Sequence, residues 1–356
     1  ISLLTKRGGV DIDGDGRGEI VVRNTQGSTL IGRLNATTGQ FGFTPTTDPG
    51  STFRYVGLLD FAGNGRTDLA YQDLLEVGFG DVFILNEFGG TPLLMRHVTH
   101  LWDVQAVGDL DGDGFGDLVW RYLGFSPDRP NDTGVSYIWF SKGGVAGAPD
   151  VRKRGGAPLN WQLLGAADLN ADGAADMVYI SPTNDIRVLM ATPDPGTPTP
   201  TIKRTCANFA VTIPIPAGFT ALKLADFIGN GRAQILIRNG ATGEVKLVSL
   251  DATGVVLPPF VVNPLQDAQD APCTATTVPI VGTISSLPAV DTALSFYAAD
   301  DFDGDGRFDI LWRQANGTLV LWKMNGTLQP TVTLNAGTAP AGFQPNATTP
   351  ATSPPL

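Results

Sequence analysis

One motif recurs six times along this chain, and it constrains the fold more than any other feature. Each copy spans fourteen residues without gaps, begins with Asp and has Gly at its sixth position. The copies begin at Asp11, Asp60, Asp109, Asp168, Asp226 and Asp301, at spacings of 49, 49, 59, 58 and 75 residues. A period of this length indicates a repeat architecture in which neighbouring units bury a shared core. We number the motif from its Asp as position 1 and call positions 1–9 of the six copies loops 1 to 6.

The residues around each motif predict β-strands on both sides of the loop. Positions 10–12 are apolar in all six copies, which predicts a strand buried on both faces directly after a glycine turn. The glycine at position 6 predicts a backbone with positive φ. The residue seven places before position 1 is always large and apolar: Leu4, Phe53, Trp102, Trp161, Phe219 and Leu294. The residue three places before position 1 is Gly or Ala except at Lys223, which favours an innermost strand that narrows toward a crowded axis.

Each repeat has the length of one propeller blade. Segments such as 135–140 and 244–250 read as third strands, and four strands per 49 to 59 residues is the usual blade size. We therefore predict an all-β fold, a β-propeller of six four-stranded blades over residues 1–337, followed by a Pro/Thr-rich tail or linker at 338–356. Residues 341–344 resemble the start of another inner strand. That strand would either close the ring against the first blade or begin a seventh blade, so seven blades are the alternative.

The loops have the composition of a metal site with oxygen ligands. Carboxylates at positions 1, 3, 5 and 9 and the carbonyl of position 7 are expected to point inward around one tight turn. Such flexible, hard-oxygen cages favour calcium over magnesium, which demands stricter octahedral geometry. The loop is not an EF-hand, because position 12 is apolar in every copy and the flanking segments are strands rather than helices.

The six copies differ in the number of ligands that they offer. Loops 1, 3, 4 and 6 are the predicted sites, with these residues: Asp11, Asp13, Asp15, Arg17 and Glu19; Asp109, Asp111, Asp113, Phe115 and Asp117; Asp168, Asn170, Asp172, Ala174 and Asp176; Asp301, Asp303, Asp305, Arg307 and Asp309. Loop 2 is a weak site, with Asp60, Asn64, Arg66 and Asp68. Loop 5 has Ile228, Asn230 and Gln234 at positions 3, 5 and 9 and is expected to be empty. We predict four calcium ions, with a fifth at loop 2 as the alternative.

These motifs resemble the FG-GAP/VCBS repeat family, which includes the calcium-binding blades of integrin α-subunit propellers and many bacterial surface proteins. The segment from Asp301 to Gly326 is similar to bacterial VCBS repeats, and FSKGGVAGAP at 140–149 is similar to the elements that name the family. The resemblance covers roughly residues 1–335. It implies a propeller with calcium in the first hairpin of each blade, and a role in adhesion or ligand recognition.

Charge and hydropathy exclude two classes of partner. The formal net charge is −11, which argues against nucleic acid and anionic membranes because both attract basic surfaces. The sequence has no run of 18 apolar residues, so we expect no membrane insertion. The calcium loops favour an extracellular or cell-surface location, where Cys206 and Cys273, the two cysteines, are expected to form a disulfide.

The remaining residues that could bind a metal or a ligand or take part in catalysis give weaker signals. His97 and His100 lie three apart, without a third ligand or carboxylate nearby in sequence, and read as surface residues. The six tryptophans fall at strand positions and read as core. Arg recurs at position 13, where we expect pairing between a blade and the acidic loops of its neighbour. No catalytic motif of a hydrolase or metalloprotease is present.

Three functions remain open from the sequence. The first is a binding or adhesion module that recognises a glycan or protein through rim loops at 124–134, 192–201 and 264–292, the longest departures from the repeat. The second is a structural subunit of a surface sheath or fibre, formed by self-association. The third is a polysaccharide-active enzyme on the same scaffold. We predict the first and no enzymatic activity.

Overall fold

The fold is a closed ring of six antiparallel sheets. A computed structural model describes residues 9–73, 82–85, 93–96, 101–124, 134, 136–140, 151–153, 160–189, 213–251 and 281–345. The described strands form six four-stranded sheets without helices, as predicted for a six-bladed propeller. Within five of the sheets, strands that follow one another in sequence are neighbours.

Each sheet is one blade and holds one of the six repeats. The strands of blades 1 to 3 are β1 (Ile20–Arg23), β2 (Thr29–Leu34) and β3 (Phe41–Thr46); β4 (Phe53–Leu59), β5 (Asp68–Asp73), β6 (Val82–Leu85) and β7 (Leu93–Arg96); β8 (Trp102–Gly108), β9 (Asp117–Tyr122), β10 (Ser136–Trp139) and β11 (Val151–Lys153). Those of blades 4 to 6 are β12 (Gln162–Ala167), β13 (Asp176–Ile180), β14 (Asp185–Leu189) and β15 (Ile213–Pro214); β16 (Phe219–Ala225), β17 (Gln234–Asn239), β18 (Val245–Asp251) and β19 (Val281–Ser286); β20 (Ser295–Asp300), β21 (Asp309–Arg313), β22 (Leu319–Lys323) and β23 (Thr331–Thr333). The last strand, β24 (Gln344–Pro345), belongs to blade 1.

Strand β24 closes the ring. It pairs antiparallel with β1, with Pro345 opposite Val22 and Gln344 opposite Arg23. Of the two roles considered for residues 341–344, the structure therefore shows ring closure against blade 1. The pairing also extends the sheet beyond residue 337, where the sequence analysis placed the end of the propeller.

The strand after each loop is buried on both faces, as its apolar run predicts. The side chains at position 12 are at most 2% exposed: Val22, Tyr71, Trp120, Tyr179, Ile237 and Trp312. Those at positions 10 and 11 are buried as well, because each second strand lies between two other strands and two neighbouring blades.

The inner strands narrow toward the axis at a shared β-bulge. Strands β4, β8, β12, β16 and β20 all shift register just before the residue three places ahead of their loop. A Cβ added to Gly57 at this place would lie 2.5 Å from Cγ1 of Val107 on the next inner strand. This close approach confirms the predicted crowding at Gly57, whereas a Cβ added to the equivalent Gly165 would have no atom within 4 Å.

The core consists of apolar clusters between adjacent blades. One cluster joins Leu236 of blade 5 to Trp312 of blade 6, and another joins Val22 of blade 1 to Leu321 of blade 6. Tryptophans are central to these clusters, as predicted. The rings of Trp120 and Trp139 lie 4.1 Å apart, and Trp102 packs against the same cluster.

Arginines at position 13 connect adjacent blades, but through partners other than the predicted acidic loops. Arg121 donates to the carbonyl of Trp161 at 2.6 Å, and Arg238 donates to that of Asp291 at 3.1 Å. Arg23 donates to the carbonyl of Phe53 and forms a bidentate ion pair with Asp48, which lies outside the metal loops. The predicted pairing between blades is confirmed, with carbonyl acceptors at or just before the first strand of the next blade rather than in a loop.

Several predicted features fall outside the described residues. These are Cys206 and Cys273, His97 and His100, and most of the predicted rim loops. None of the described residues forms a helix long and apolar enough to cross a membrane.

Candidate metal centre

All six loops share one backbone conformation, built on the Asp at position 1. One carboxylate oxygen of this Asp accepts the N–H of the position 6 glycine in every loop, at 2.7–3.2 Å. The position 6 glycines have φ between +79° and +93°, as the recurring glycine predicts. The side chain at position 5 accepts the N–H of position 7 in all six loops, at 2.9–3.0 Å. Asn fulfils this second role as well as Asp, since it needs only an acceptor oxygen.

The side chain at position 9 closes the loop onto its start. In loops 1 to 5 one oxygen accepts the N–H of position 2 at 2.7–3.0 Å. Loop 6 is different, because Asp309 accepts the N–H of Met324 instead, at 2.8 Å. Its second oxygen, Oδ2, is buried without a hydrogen-bond partner.

The structure brings carboxylates together in three loops. Within the described part of the chain, three groups have ligand atoms that all lie within 4.8 Å of one another: Asp11, Asp13 and Asp15; Asp109, Asp111 and Asp117; Asp301, Asp303 and Asp309. They belong to loops 1, 3 and 6, the three with four carboxylates. Glu19, Asp113 and Asp305 belong to the same loops but not to these groups.

Two observations show that these groups fit a cation. Asp11 Oδ1 and Asp309 Oδ2 are buried carboxylate oxygens without a hydrogen-bond partner, an arrangement that costs free energy unless a positive charge compensates it. In addition, burial and then the Asp303 charge raise the pKa of Asp309 to about 9. Burial, followed by the charge of Asp113, raises the pKa of Asp109 to about 7. A divalent cation removes this repulsion and keeps the carboxylates ionised.

Basic side chains partly neutralise two of the loops. Arg33 Nε lies 3.0 Å from Asp13 Oδ2 and 3.6 Å from Glu19 Oε1. Lys323 Nζ lies 3.4 Å from Asp303 Oδ2, and Arg307 Nη1 lies 2.9 Å from Asp305 Oδ2. Loops 1 and 6 therefore contain cationic side chains at their rims, a feature that sequence reasoning did not identify because Arg33 and Lys323 lie on other strands.

Loops 2 and 4 are less acidic than these three. In loop 4 the Asn170 amide donates to Asp172 Oδ2 at 2.9 Å, and the loop does not contain a carboxylate group of the kind found in loops 1, 3 and 6. In loop 2, Asp68 Oδ2 accepts the N–H groups of Phe61 and Ala62. Metal binding at loops 2 and 4 stays a prediction, as does ligation by the carbonyls of Arg17, Phe115, Ala174 and Arg307.

A ring of backbone hydrogen bonds links the six loops. The N–H of position 8 donates to the position 1 carbonyl of the preceding blade at every junction, at 2.6–2.9 Å. The donors are Gly18, Thr67, Gly116, Ala175, Ala233 and Phe308, and their acceptors are Asp301, Asp11, Asp60, Asp109, Asp168 and Asp226. Each loop is thus fixed to two neighbours through backbone atoms.

Comparison with known proteins supports the assignment of the repeat. The family model "FG-GAP repeat" matches residues 104–139, which extend from the inner strand of blade 3 through loop 3 to its third strand. No curated protein matches the chain.

Several solved structures match the chain at low sequence identity and with TM-scores below 0.5. An active polycomb repressive complex 2 in the basal state has 13% identity and a TM-score of 0.40, covering 83% of this chain and 61% of that chain. Raptor of Chaetomium thermophilum has 11% identity and a TM-score of 0.37, covering 87% and 24%. The WD40 domain of SCAP from fission yeast has 10% identity and a TM-score of 0.33, covering 86% and 78%.

FG-GAP repeats commonly bind calcium, and propellers built from them are generally binding or scaffold modules without enzymatic activity. The carboxylate groups in loops 1, 3 and 6 are suited to hold such an ion. The match in blade 3 and the six-bladed ring together fit a β-propeller of the FG-GAP type.

Proposed function

We propose that the chain is an extracellular, calcium-stabilised binding or adhesion module that recognises a glycan or protein through the loops of one rim. Calcium binding is proposed because three carboxylates converge in each of loops 1, 3 and 6. Within these groups, Asp11 and Asp309 each have a buried carboxylate oxygen without a hydrogen-bond partner. The binding role is supported by the FG-GAP type of the propeller.

Calcium fits these loops better than magnesium. Calcium accepts six to eight oxygen ligands in irregular geometry, whereas magnesium retains its waters and requires an octahedron. A nine-residue turn with carboxylates, side-chain amides and carbonyls offers the irregular set. Extracellular calcium-binding modules have Kd of about 10⁻⁴–10⁻³ M, and we expect an affinity of this order here.

Calcium removal tests the stabilising role. We expect the melting temperature to fall on chelation, and calcium titration of the chelated protein to give saturable binding. The variant Asp111→Asn should lower the amount of calcium bound, because it removes a carboxylate from the loop 3 group. Glu244→Gln is the control, since it also removes one negative charge but lies in a turn outside the six loops. An unchanged melting curve with and without chelator contradicts the proposal.

Ligand recognition needs a separate test. The calcium-loaded protein is screened on a glycan array and against cell-surface protein extracts, with the chelated protein as the control. Calcium-dependent, saturable binding without turnover supports a binding module. Regular calcium-dependent self-assembly measured by light scattering supports the alternative of a sheath or fibre subunit, and product formation from a polysaccharide supports the enzymatic alternative.

A further inference from the structure

Loop 5 keeps the conformation of the metal loops although it lacks their ligands. Asp226 Oδ1 accepts the N–H of Gly229 at 2.8 Å, and its Oδ2 accepts that of Gly231 at 2.7 Å. Both glycines have positive φ, at +74° and +79°, as in the acidic loops. Yet positions 3, 5 and 9 are Ile228, Asn230 and Gln234, so Asp226 is the one carboxylate of this loop. Something other than a cation therefore holds the turn.

The side chain of Gln234 supplies the missing contacts. Its Oε1 accepts the N–H of Phe227 at 2.8 Å, the bond that a position 9 oxygen forms in loops 1 to 4. Because that N–H requires an oxygen, the amide nitrogen must face the inside of the loop. There Nε2 donates to the carbonyl of Arg232 at 2.5 Å and to Asn230 Oδ1 at 3.4 Å. These two acceptors belong to positions 7 and 5, which are predicted ligand positions in the acidic loops.

We infer that the Gln234 amide takes the place of the cation in loop 5, so that this hairpin closes without metal. The NH₂ group offers two hydrogens to two oxygens that a calcium ion would otherwise bind, and it does so inside a site where Gln234 is 1% exposed. A carboxylate at the same place would face both oxygens without a hydrogen to share and would require a cation. The inference rests on the proposed function, because it assumes that the acidic loops close around calcium.

Hydrogen exchange of the unmodified protein tests this directly. The amides of Gly231 in loop 5 and Gly306 in loop 6 donate equivalent bonds, both at 2.7 Å, to the Asp at position 1. On chelation we expect exchange at residues 301–309 to accelerate by about tenfold or more as the loop opens locally, with little change at 226–234. Equal acceleration in both loops overturns the inference.

The variant Gln234→Glu provides the second test. Glu already occupies position 9 in loop 1, as Glu19, so the length is compatible with the turn. We expect loop 5 of this variant to lose protection in chelator and to regain it at high calcium, because its ligand types then match those of loop 2, the weak site. Gln234→Met is the control, because it removes both the donors and the charge; its loop should stay unprotected with or without calcium. A Gln234→Glu loop that remains protected in chelator contradicts the inference.

The outcomes also separate this inference from the proposed function. If loop 6 does not respond to chelation, the calcium proposal fails whatever loop 5 does. If loop 6 responds and loop 5 of the unmodified protein responds equally, the calcium proposal stands and the role of Gln234 is wrong.

Discussion

Ala171 occupies a backbone position that the other loops reserve for glycine. It is the position 4 residue of loop 4 and has φ of +63°, whereas loops 1, 2, 3, 5 and 6 have glycine with φ between +68° and +79° there. The left-handed backbone conformation costs an L-residue about 1–2 kcal/mol, whereas glycine adopts it without this cost. We therefore expect Ala171→Gly to raise the free energy of unfolding by up to about 1 kcal/mol after the extra chain entropy of glycine in the unfolded state is subtracted.

Urea denaturation measures this change. Ala174→Gly is the matched control in the same loop, because Ala174 is fully buried and has no positive φ, so the substitution should destabilise the protein. If both variants shift the midpoint in the same direction, strain at Ala171 is not the explanation.

Asp48 gives a second prediction at the residue scale, with a defined pH dependence. Burial acts to raise its pKa, but hydrogen bonds from Arg23 and Thr29 hold the pKa of Asp48 below its usual range. A depressed pKa means that the ion pair stabilises the protein above the unfolded pKa, about 3.9, and that this stability is lost as the pH falls through the folded pKa. Asp48→Asn should cost about 2 kcal/mol at pH 7, and the difference from the unmodified protein should shrink below pH 4. Denaturation of both proteins between pH 7 and 3 in constant calcium checks this; a constant difference contradicts it.

At the scale of the element, a side chain on the third strand of a blade is expected to change the calcium affinity of the adjacent loop. Lys323 on β22 lies 3.4 Å from Asp303, a member of the loop 6 carboxylate group. A positive charge beside the loop repels calcium by roughly 1 kcal/mol in a screened, solvent-rich setting. We expect Lys323→Met to tighten calcium binding at loop 6 by about fivefold.

The measurement is the calcium concentration at which residues 301–309 regain protection from hydrogen exchange. Lys246→Met serves as the control, because Lys246 also lies on a third strand but contacts the Phe219 ring and Glu244 rather than a metal loop. Equal calcium midpoints for Lys323→Met and the unmodified protein would exclude the tuning role.

The elements also show how far the sequence alone leads. The six-bladed fold, the buried second strands and the glycine turns follow from local patterns, because apolar runs and positive-φ glycines are visible in each repeat. The contacts of Arg121 and Arg238 cannot be predicted in this way. Their acceptors are backbone carbonyls, which every residue type has. From the sequence, Gln234 indicated only that a carboxylate is missing from loop 5. The orientation of its amide depends on the hydrogen bond from the Phe227 N–H, which the sequence does not show. The turned carboxylate of Asp309 likewise depends on Met324, fifteen residues away.

At the scale of the whole molecule, ring closure depends on two residues of β24. Truncation after residue 343 removes Gln344 and Pro345 and leaves β1 without this partner. We expect a loss of about 2 kcal/mol, the net value of about two backbone hydrogen bonds, with blade 1 unfolding first. Thermal denaturation with hydrogen exchange at residues 20–23 measures both effects. Truncation after residue 345 is the control, because it shortens the chain and keeps β24; equal losses in the two truncations contradict a closing role.

The ring of backbone hydrogen bonds from position 8 to position 1 affects which substitutions the repeats can accept. Because donors and acceptors are main-chain groups, the bonds themselves require only a residue other than proline at position 8, which holds Gly, Thr, Ala and Phe. Local packing adds its own limit, since a Cβ at Gly18 would lie 2.5 Å from Asp300 Oδ1. The fifth blade, whose loop has Asp226 as its one carboxylate, is accordingly joined to both neighbours by these bonds. We therefore expect that loss or gain of a cation at one loop would leave the backbone bonds between the blades in place.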